Sequence, residues 1–378
     1  MITIGQPYIT ENDKTARLNC EINIKGKIKN LYIECEKKYA PYLVYERADA
    51  FVVLLVKFAM RIKQDITSIA PITEELIHNI NEFLLPTLIK TGNTIGMNLH
   101  NVKIISPLIS SSLESSPKTE VVTCISCGCD SLYTLKHYIQ DTPYEHLKPT
   151  HLYLGNCSID VMDTQINDLN DFIRINKMKY DKCRRVSNMV DIPLLTTYSN
   201  FLTYSNKPTP NHYEIMSEIM CFRKLFKIFL LPSGYDYTAY SVVNGLTKSS
   251  AYYELLSAHV LTIPGFVLYN SGAGMSRLEK MRSIMDYDIA KQELETCFFS
   301  IDNKNCSKPT CSKCLRMLTA LDIYGKLDDF KAVFNIQKYK DEHDKYMIEV
   351  YRRREEYFIV ENYELLKNKY PNSFNNIS

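Results

Sequence analysis

The sequence predicts an α/β protein: a parallel-sheet nucleotide-binding domain with a metal loop, preceded by a small α+β domain and followed by a charged helical tail. Three observations carry this expectation. Between residues 120 and 270, short apolar runs alternate with amphipathic helical stretches, the pattern of a parallel sheet covered on both faces. A turn of small residues, Ser126-Cys127-Gly128-Cys129-Asp130-Ser131, joins the first of those runs to its helix. Four of the twelve cysteines crowd between positions 297 and 314.

Taken in order, segments 16–24 and 28–35 alternate apolar and polar residues as two antiparallel strands, with Lys25-Gly26-Lys27 as their turn. Segment 48–63 is apolar nearly all round, as a buried helix is. A second helix starts at Thr73, an N-cap residue with Glu74 and Glu75 in the first turn, and runs to about Ile89. Segment 102–105 reads as a closing strand. The serine-rich stretch 110–117 reads as a linker and sets the end of an N-terminal domain, 1–117. The second domain, 118–325, then runs strand 121–125, helix to about Ile139, strand 151–154, polar helix 163–186, strand 193–196, helix 212–225, and strands 227–231 and 266–269. Ligands of such sheets lie beyond the carboxyl ends of the strands, which singles out the turns after Ile125, Leu154, Thr196, Leu231 and Tyr269. Residues 326–378 form the tail, where Arg352-Arg353-Arg354 followed by Glu355-Glu356 reads as a solvated helix face rather than a nucleic-acid arm.

Composition narrows the function classes. The 378 residues are 45% hydrophobic and 23% charged, with a formal charge of only +2, so a nucleic-acid partner is not expected. The longest apolar run, 50–60, is interrupted by Lys57 and is too short to span a bilayer. The N-terminus shows no secretory signal, so a cytoplasmic protein without a membrane partner is expected. In a reducing compartment the cysteines are read as metal ligands or reactive thiols rather than as disulfides.

Small residues in the 126–131 turn let backbone approach an anion, and the N–H groups of the following helix start can bind phosphate. Ser126 and Ser131 add hydroxyl donors, and Asp130 suits Mg2+ bridging phosphates. Cys127 and Cys129 read either as thiols activated at a helix N-terminus or as small space-fillers. Arg277 and Lys280, three apart at a helix start, can both face an anion. Cys297, Cys306, Cys311 and Cys314 form C-x8-C-x4-C-x2-C, which matches a closed tetrahedral Zn2+ site, with an iron–sulfur cluster as the alternative. Asn305 suits such a loop, and Lys313 and Arg316 offset its thiolate charge. His137 and His151 read as structural. His212 and Glu214 read as facing the cleft or as helix capping.

The hexapeptide resembles the Ser-Gly-Gly-x-Asp-Ser signature of the PP-loop ATP pyrophosphatases, over about residues 120–318. The resemblance implies a HUP-like domain and cleavage of ATP between its α- and β-phosphates. A carbonyl or carboxylate oxygen is adenylated and a nitrogen or sulfur nucleophile then displaces AMP. It assigns phosphate to Ser126, Cys127, Gly128, Cys129 and Ser131, Mg2+ to Asp130, adenine to the backbone of Leu154-Gly155-Asn156, and pyrophosphate to Arg277 and Lys280. This chain departs at Cys127, where the family has glycine, and crowding of the pyrophosphate is expected there. Together with the four cysteines, the motif resembles the 7-cyano-7-deazaguanine synthase branch, which uses ATP to turn a deazapurine carboxylate into an amide and then a nitrile. The extra N-terminal domain and tail imply a divergent nitrogen-transferring ligase acting on another small-molecule, peptide or protein carboxylate. They also offer surfaces for a protein partner or a homodimer. The alternatives are a non-catalytic nucleotide sensor or scaffold, and sulfur transfer to RNA or a small molecule through Cys127, Cys129 or Cys157.

Overall fold

Strands β1 (Ile2–Ile4), β2 (Tyr8–Glu11), β3 (Thr15–Ile24) and β4 (Lys27–Glu36) open the chain in antiparallel pairing. The computed structural model describes residues 1–94, 98–113, 119–156, 166–201, 212–240, 254–297, 300 and 304–375. Ile24 pairs with Lys27, so only Lys25 and Gly26 form the β3–β4 turn, at φ +52° and +85°. Two left-handed residues give the turn whose twist matches that of its strands, and Gly26 takes the second position without steric cost.

Helix α1 (Asp49–Ile62) is buried along almost its whole length, Lys57 included, as its all-round apolar character requires. After β5 (Ile66–Ser68) and β6 (Ile72–Thr73), the single expected helix forms as one uninterrupted run with a wider turn inside it. Helix α2 (Glu74–Asn79) passes into a wide turn, Ile80–Leu84, before α3 (Leu85–Thr94). Pro86 has no N–H to continue the ladder, which accounts for the wider turn in front of it. Thr73 makes no side-chain cap. Its N–H and hydroxyl both donate to Asp49, at 2.8 and 2.5 Å. Strand β7 (Ile104–Ile105) pairs with β5, and β8 (Leu108–Ile109) with β6.

Strands β9 (Glu120–Cys124), β10 (His151–Gly155), β11 (Leu194–Ser199), β12 (Phe226–Pro232) and β13 (Val267–Ser271) are parallel, in the order β13-β12-β9-β10-β11. The chain runs outward from β9 to β11, then returns to β12 on the other side of β9. That reversal makes the carboxyl end of β9 a topological switch point, where open α/β sheets form their ligand crevice. The connecting helices are α4 (Cys129–Lys136), α5 (Leu169–Ile175), α6 (Lys177–Val190), α7 (His212–Met220) and α8 (Glu254–Val260). The long polar helix expected over 163–186 is divided at Asn176, whose side chain donates to the Phe172 carbonyl at 3.0 Å. Residues 163–165 lie outside the described residues.

The boundary expected at residue 117 does not separate two cores. β4 pairs antiparallel with β11, Cys35 opposite Thr197 and Ile33 opposite Ser199, so one eleven-stranded sheet crosses it. A single apolar cluster joins Leu18, Phe51 and Val53 to Tyr213, Phe222 and Phe229. The serine stretch is also pinned. Arg47 donates to the Ser110 and Ser112 carbonyls at 2.8 and 2.9 Å, and Arg223 to that of Ser111 at 3.0 Å. Residues 114–118 lie outside the described residues.

The C-terminal third folds onto the other face of the parallel strands. Helices α9 (Arg277–Ile284), α10 (Asp288–Glu293), α11 (Ser312–Ile323), α12 (Ile336–Asp341), α13 (His343–Arg352), α14 (Val360–Lys369) and α15 (Pro371–Asn375) follow β13. Tail residues Phe330, Tyr339, Tyr346, Val350 and Leu366 share a core with Ile125, Leu132 and Leu154. The arginine run is not one solvated helix face, because α13 ends at Arg352. Arg353 forks onto Glu356 through two 2.7 Å bonds, and Arg354 lies over the Tyr351 ring. Among the described residues no helix is long and apolar enough to cross a membrane.

Candidate functional site

The turn after β9 sits at the switch point. Its second residue, Cys127, has φ +55°, the left-handed conformation that glycine takes freely and other residues adopt at about 1–2 kcal/mol. The side chain is 0% exposed, and its Sγ lies 3.8 Å from the Cys183 Sγ on α6. The crowding of pyrophosphate expected from Cys127 is therefore corrected: the backbone keeps a glycine's shape and the thiol packs into the core beside α6. Glu295 N–H holds the Cys127 carbonyl at 2.7 Å.

Gly128 caps α4 in extended conformation, and Ser131 Oγ donates to its carbonyl at 3.1 Å while accepting from Ser126 N–H at 3.3 Å. The unpaired N–H groups of the first turn of α4 lie beside this loop. Burial pushes the Cys129 thiol up to about 12 and the Cys127 thiol well above its ordinary value. The reading of these two as activated thiols is thus not borne out, since desolvation outweighs the helix terminus.

Two cations reach the turn from α9, beyond the far strand β13. A capping box fixes the start of α9: Ser276 Oγ accepts from Glu279 N–H at 3.2 Å, and Glu279 accepts from Ser276 N–H at 2.7 Å. Arg277 Nη2 then lies 3.0 Å from Asp130 Oδ2 and donates to the Gly234 carbonyl at 2.9 Å. Lys280 is 0% exposed, donates to the Ser233 carbonyl at 2.8 Å, and sits 3.8 Å from Asp130 Oδ1. That Oδ1 atom is buried and accepts no hydrogen bond from the described residues, with the Lys280 ammonium as its ion-pair neighbour.

At the next strand, Gly155 is required by close approach. A Cβ there would collide with the Tyr153 hydroxyl, Glu218 Oε2 and Thr197 Oγ1. Glu218 on α7 is 0% exposed and accepts from Tyr153 at 2.5 Å and from the Thr197 hydroxyl. Asn156 clasps β11, donating to the Ser199 carbonyl and accepting from its N–H, both at 2.8 Å. Its side chain is thus committed to the fold.

The four C-terminal cysteines come together. Their Sγ atoms all lie within 4.8 Å of one another, with Cys297–Cys311 at 3.7 Å and Cys306–Cys314 at 3.5 Å. A tetrahedral zinc with sulfur ligands at about 2.3 Å needs sulfurs about 3.8 Å apart, so the cluster fits such a metal. Asn305 builds the loop: it accepts from the Cys297 and Thr296 N–H groups at 2.9 and 2.8 Å and donates to the Leu294 and Val333 carbonyls.

Reasoning from sequence gave Glu218 and Phe358 no place near this turn and placed Arg316 at the cysteine loop. Arg316, expected to offset thiolate charge, instead lies with its guanidinium 4.9 Å from the Phe358 ring centroid, and Arg277 lies 4.7 Å from the same ring. Its position two residues beyond the last cysteine was the available signal. His137 stacks on Tyr133, and burial pushes His212 down to about 3, so both belong to the packing. Glu214 is buried, and Cys157 lies outside the described residues. Compared with protein-family models, curated proteins and solved structures, the chain matches none of them.

Proposed function

We propose that this chain is a Mg-ATP-dependent, AMP- and pyrophosphate-forming enzyme of the PP-loop kind, adenylating a carboxylate or carbonyl that is then handed to nitrogen. The observation that supports it is the convergence of Arg277 and Lys280 on a glycine-shaped turn at the sheet's switch point. Backbone N–H groups of Gly128 and the first turn of α4, with the Ser126 and Ser131 hydroxyls, hold the phosphates. Asp130 would hold the magnesium, which would shield their charge. The acceptor oxygen attacks the α-phosphorus as the bond to the bridging oxygen breaks, and the electron pair leaves with pyrophosphate. Arg277 and Lys280 stabilise that developing charge, and losing one such preorganised donor typically costs about 10²–10³ in rate. A nitrogen nucleophile then attacks the activated carbon and AMP departs with the C–O bonding pair. No protein side chain needs to act as a nucleophile, in keeping with the raised thiols of Cys127 and Cys129.

The four-cysteine cluster has no open position and serves the fold. With Cys127 turned into the core, the substitution that suggested a non-catalytic sensor gives that reading no further support. The test is product analysis of zinc-replete protein with Mg-ATP and a cell metabolite extract as acceptor pool. AMP and pyrophosphate that disappear in Asp130→Ala are the expected result. ADP and phosphate, or nucleotide binding without any cleavage across acceptor pools, would overturn the proposal.

A further inference from the structure

Arg316 has no role in the reading above, yet its surroundings are those of an anion ligand. It follows Cys314 by two residues on α11, between the core side chains Leu315 and Met317. Its guanidinium and that of Arg277 both lie within 5 Å of the Phe358 centroid, so they are less than 10 Å apart. Arg277 in turn contacts Asp130 in the phosphate turn. The charges of Arg277, Lys280 and Arg316 all act on the neighbouring Cys129, and Arg316 feels both Arg277 and Asp130.

Three cations thus gather around Asp130 in a half-buried space, with Asp236 also within reach of Lys280, and an anion would relieve their mutual repulsion. Arg316 Nε is buried and has no hydrogen-bond partner among the described residues. Phe358 is itself held by the loop after β12, with Tyr235 at 4.8 Å. Lying over the Phe358 ring, the Arg316 guanidinium can turn its N–H edge to fork onto phosphate oxygens.

The geometry points to Arg316 as a third cation of the pyrophosphate-binding site, delivered by the helix that the four-cysteine centre anchors and steadied by Phe358 of the tail. This rests on the proposed function, in which that turn binds phosphates. It gives the cluster a second consequence: metal bound at Cys311 and Cys314 fixes the first turn of α11, and thereby where the Arg316 side chain starts.

The test is calorimetric binding of pyrophosphate with Mg2+ to full-length, zinc-loaded protein at two salt concentrations. The chain is compared with Arg316→Gln, Arg316→Lys, Arg277→Gln and, as a surface control, Lys340→Gln, with zinc content and melting temperature read for each. Arg316→Gln is expected to weaken binding roughly 10- to 100-fold and to flatten its salt dependence, with zinc retained. Arg316→Lys should recover part of the loss, and Lys340→Gln should bind as the parent does. If Arg316→Gln disturbs zinc or folding, Phe358→Leu, which changes neither a cysteine nor its helix, carries the test and should weaken binding several-fold. Unchanged affinity in Arg316→Gln, or in Phe358→Leu where that carries the test, beside a weakened Arg277→Gln would overturn the role of Arg316 alone. No binding by the parent chain of either pyrophosphate or ATP would remove the phosphate site itself, and Arg316 with it.

Discussion

Replacing Asp49 by asparagine probes the tie between the N-terminal strands and the parallel sheet. Asp49 and Arg223 are 1% and 2% exposed. Asp49 accepts from Arg223 Nη1 and from the N–H and hydroxyl of Thr73, and buried Arg47 donates to the same Thr73 hydroxyl at 3.0 Å. The amide keeps an oxygen for the Thr73 N–H but withdraws the carboxylate, leaving the Arg223 guanidinium desolvated beside Arg47. Breaking a buried pair from one side costs about 3–5 kcal/mol, and the retained hydrogen bond offsets about 1 kcal/mol, so a loss of about 2–4 kcal/mol is expected. Urea unfolding followed by far-ultraviolet circular dichroism and by tyrosine fluorescence reads it, since the chain has 27 tyrosines and no tryptophan. With a urea slope of about 3 kcal/mol per molar, the midpoint falls by about 1 M. Both signals should move together, because sheet and core are continuous across the junction. A loss below about 1 kcal/mol, or two transitions of which only one responds, would refute this account of the junction.

Other perturbations follow from the same geometry. At an ordinary buried position glycine is less stabilising than alanine by roughly 1–2 kcal/mol, but at the left-handed Cys127 the strain relieved is of similar size, so Cys127→Gly and Cys127→Ala should have urea midpoints within about 0.2 M. A clearly more stable alanine variant would show that the turn is not left-handed. Cys314→Ser should take zinc from about one per chain towards zero and lower the melting temperature by several degrees, read by elemental analysis and calorimetry. Full zinc retention would rule out the four-sulfur site. Burial alone would raise the Asp322 carboxyl, but the His343 imidazole 3.4 Å away, the Tyr339 and Tyr370 hydrogen bonds and the Lys369 charge hold it at about 2. A depressed carboxyl stabilises fully above about pH 4 and loses that contribution as pH falls towards 2, so Asp322→Asn should cost about 2 kcal/mol at pH 6 and flatten the acid limb of the melting profile. His343, raised mainly by the neighbouring Asp322, behaves oppositely: its contribution is full below about pH 6.5 and fades as pH rises through its folded value. An acid limb unchanged in Asp322→Asn would exclude this cluster as the tail's anchor.

Much of the fold was legible because its signals are local. Each parallel strand is a short apolar run, the β3–β4 hairpin carries its own turn, and the C-x2-C knuckle needs only spacing. The β4–β11 pairing was not legible, because two remote strands with compatible alternation carry no mark of choosing each other. Cys127 misled for a definite reason: a side chain at a glycine position implies a clash only if φ is known, and at +55° the Cβ leaves the phosphate face. Arg316 and Phe358 meet through three-dimensional packing of two segments more than forty residues apart in the chain, where sequence offers charge and aromaticity but no partner.

The β4–β11 pairing also bears on how copies of this chain meet. A five-stranded parallel sheet ends in two open rims of unpaired N–H and carbonyl groups, the usual template for unwanted strand addition. In this fold the β3–β4 hairpin covers the rim at β11 and carries the ladder on to β7, two residues long. Among the described residues, the parallel half keeps only one uncovered rim, the five residues of β13 with exposed Tyr269. Among the described residues, strand addition on the parallel side is therefore open only at β13, next to the α9 cations, so edge-to-edge growth there would run close to Arg277 and Lys280.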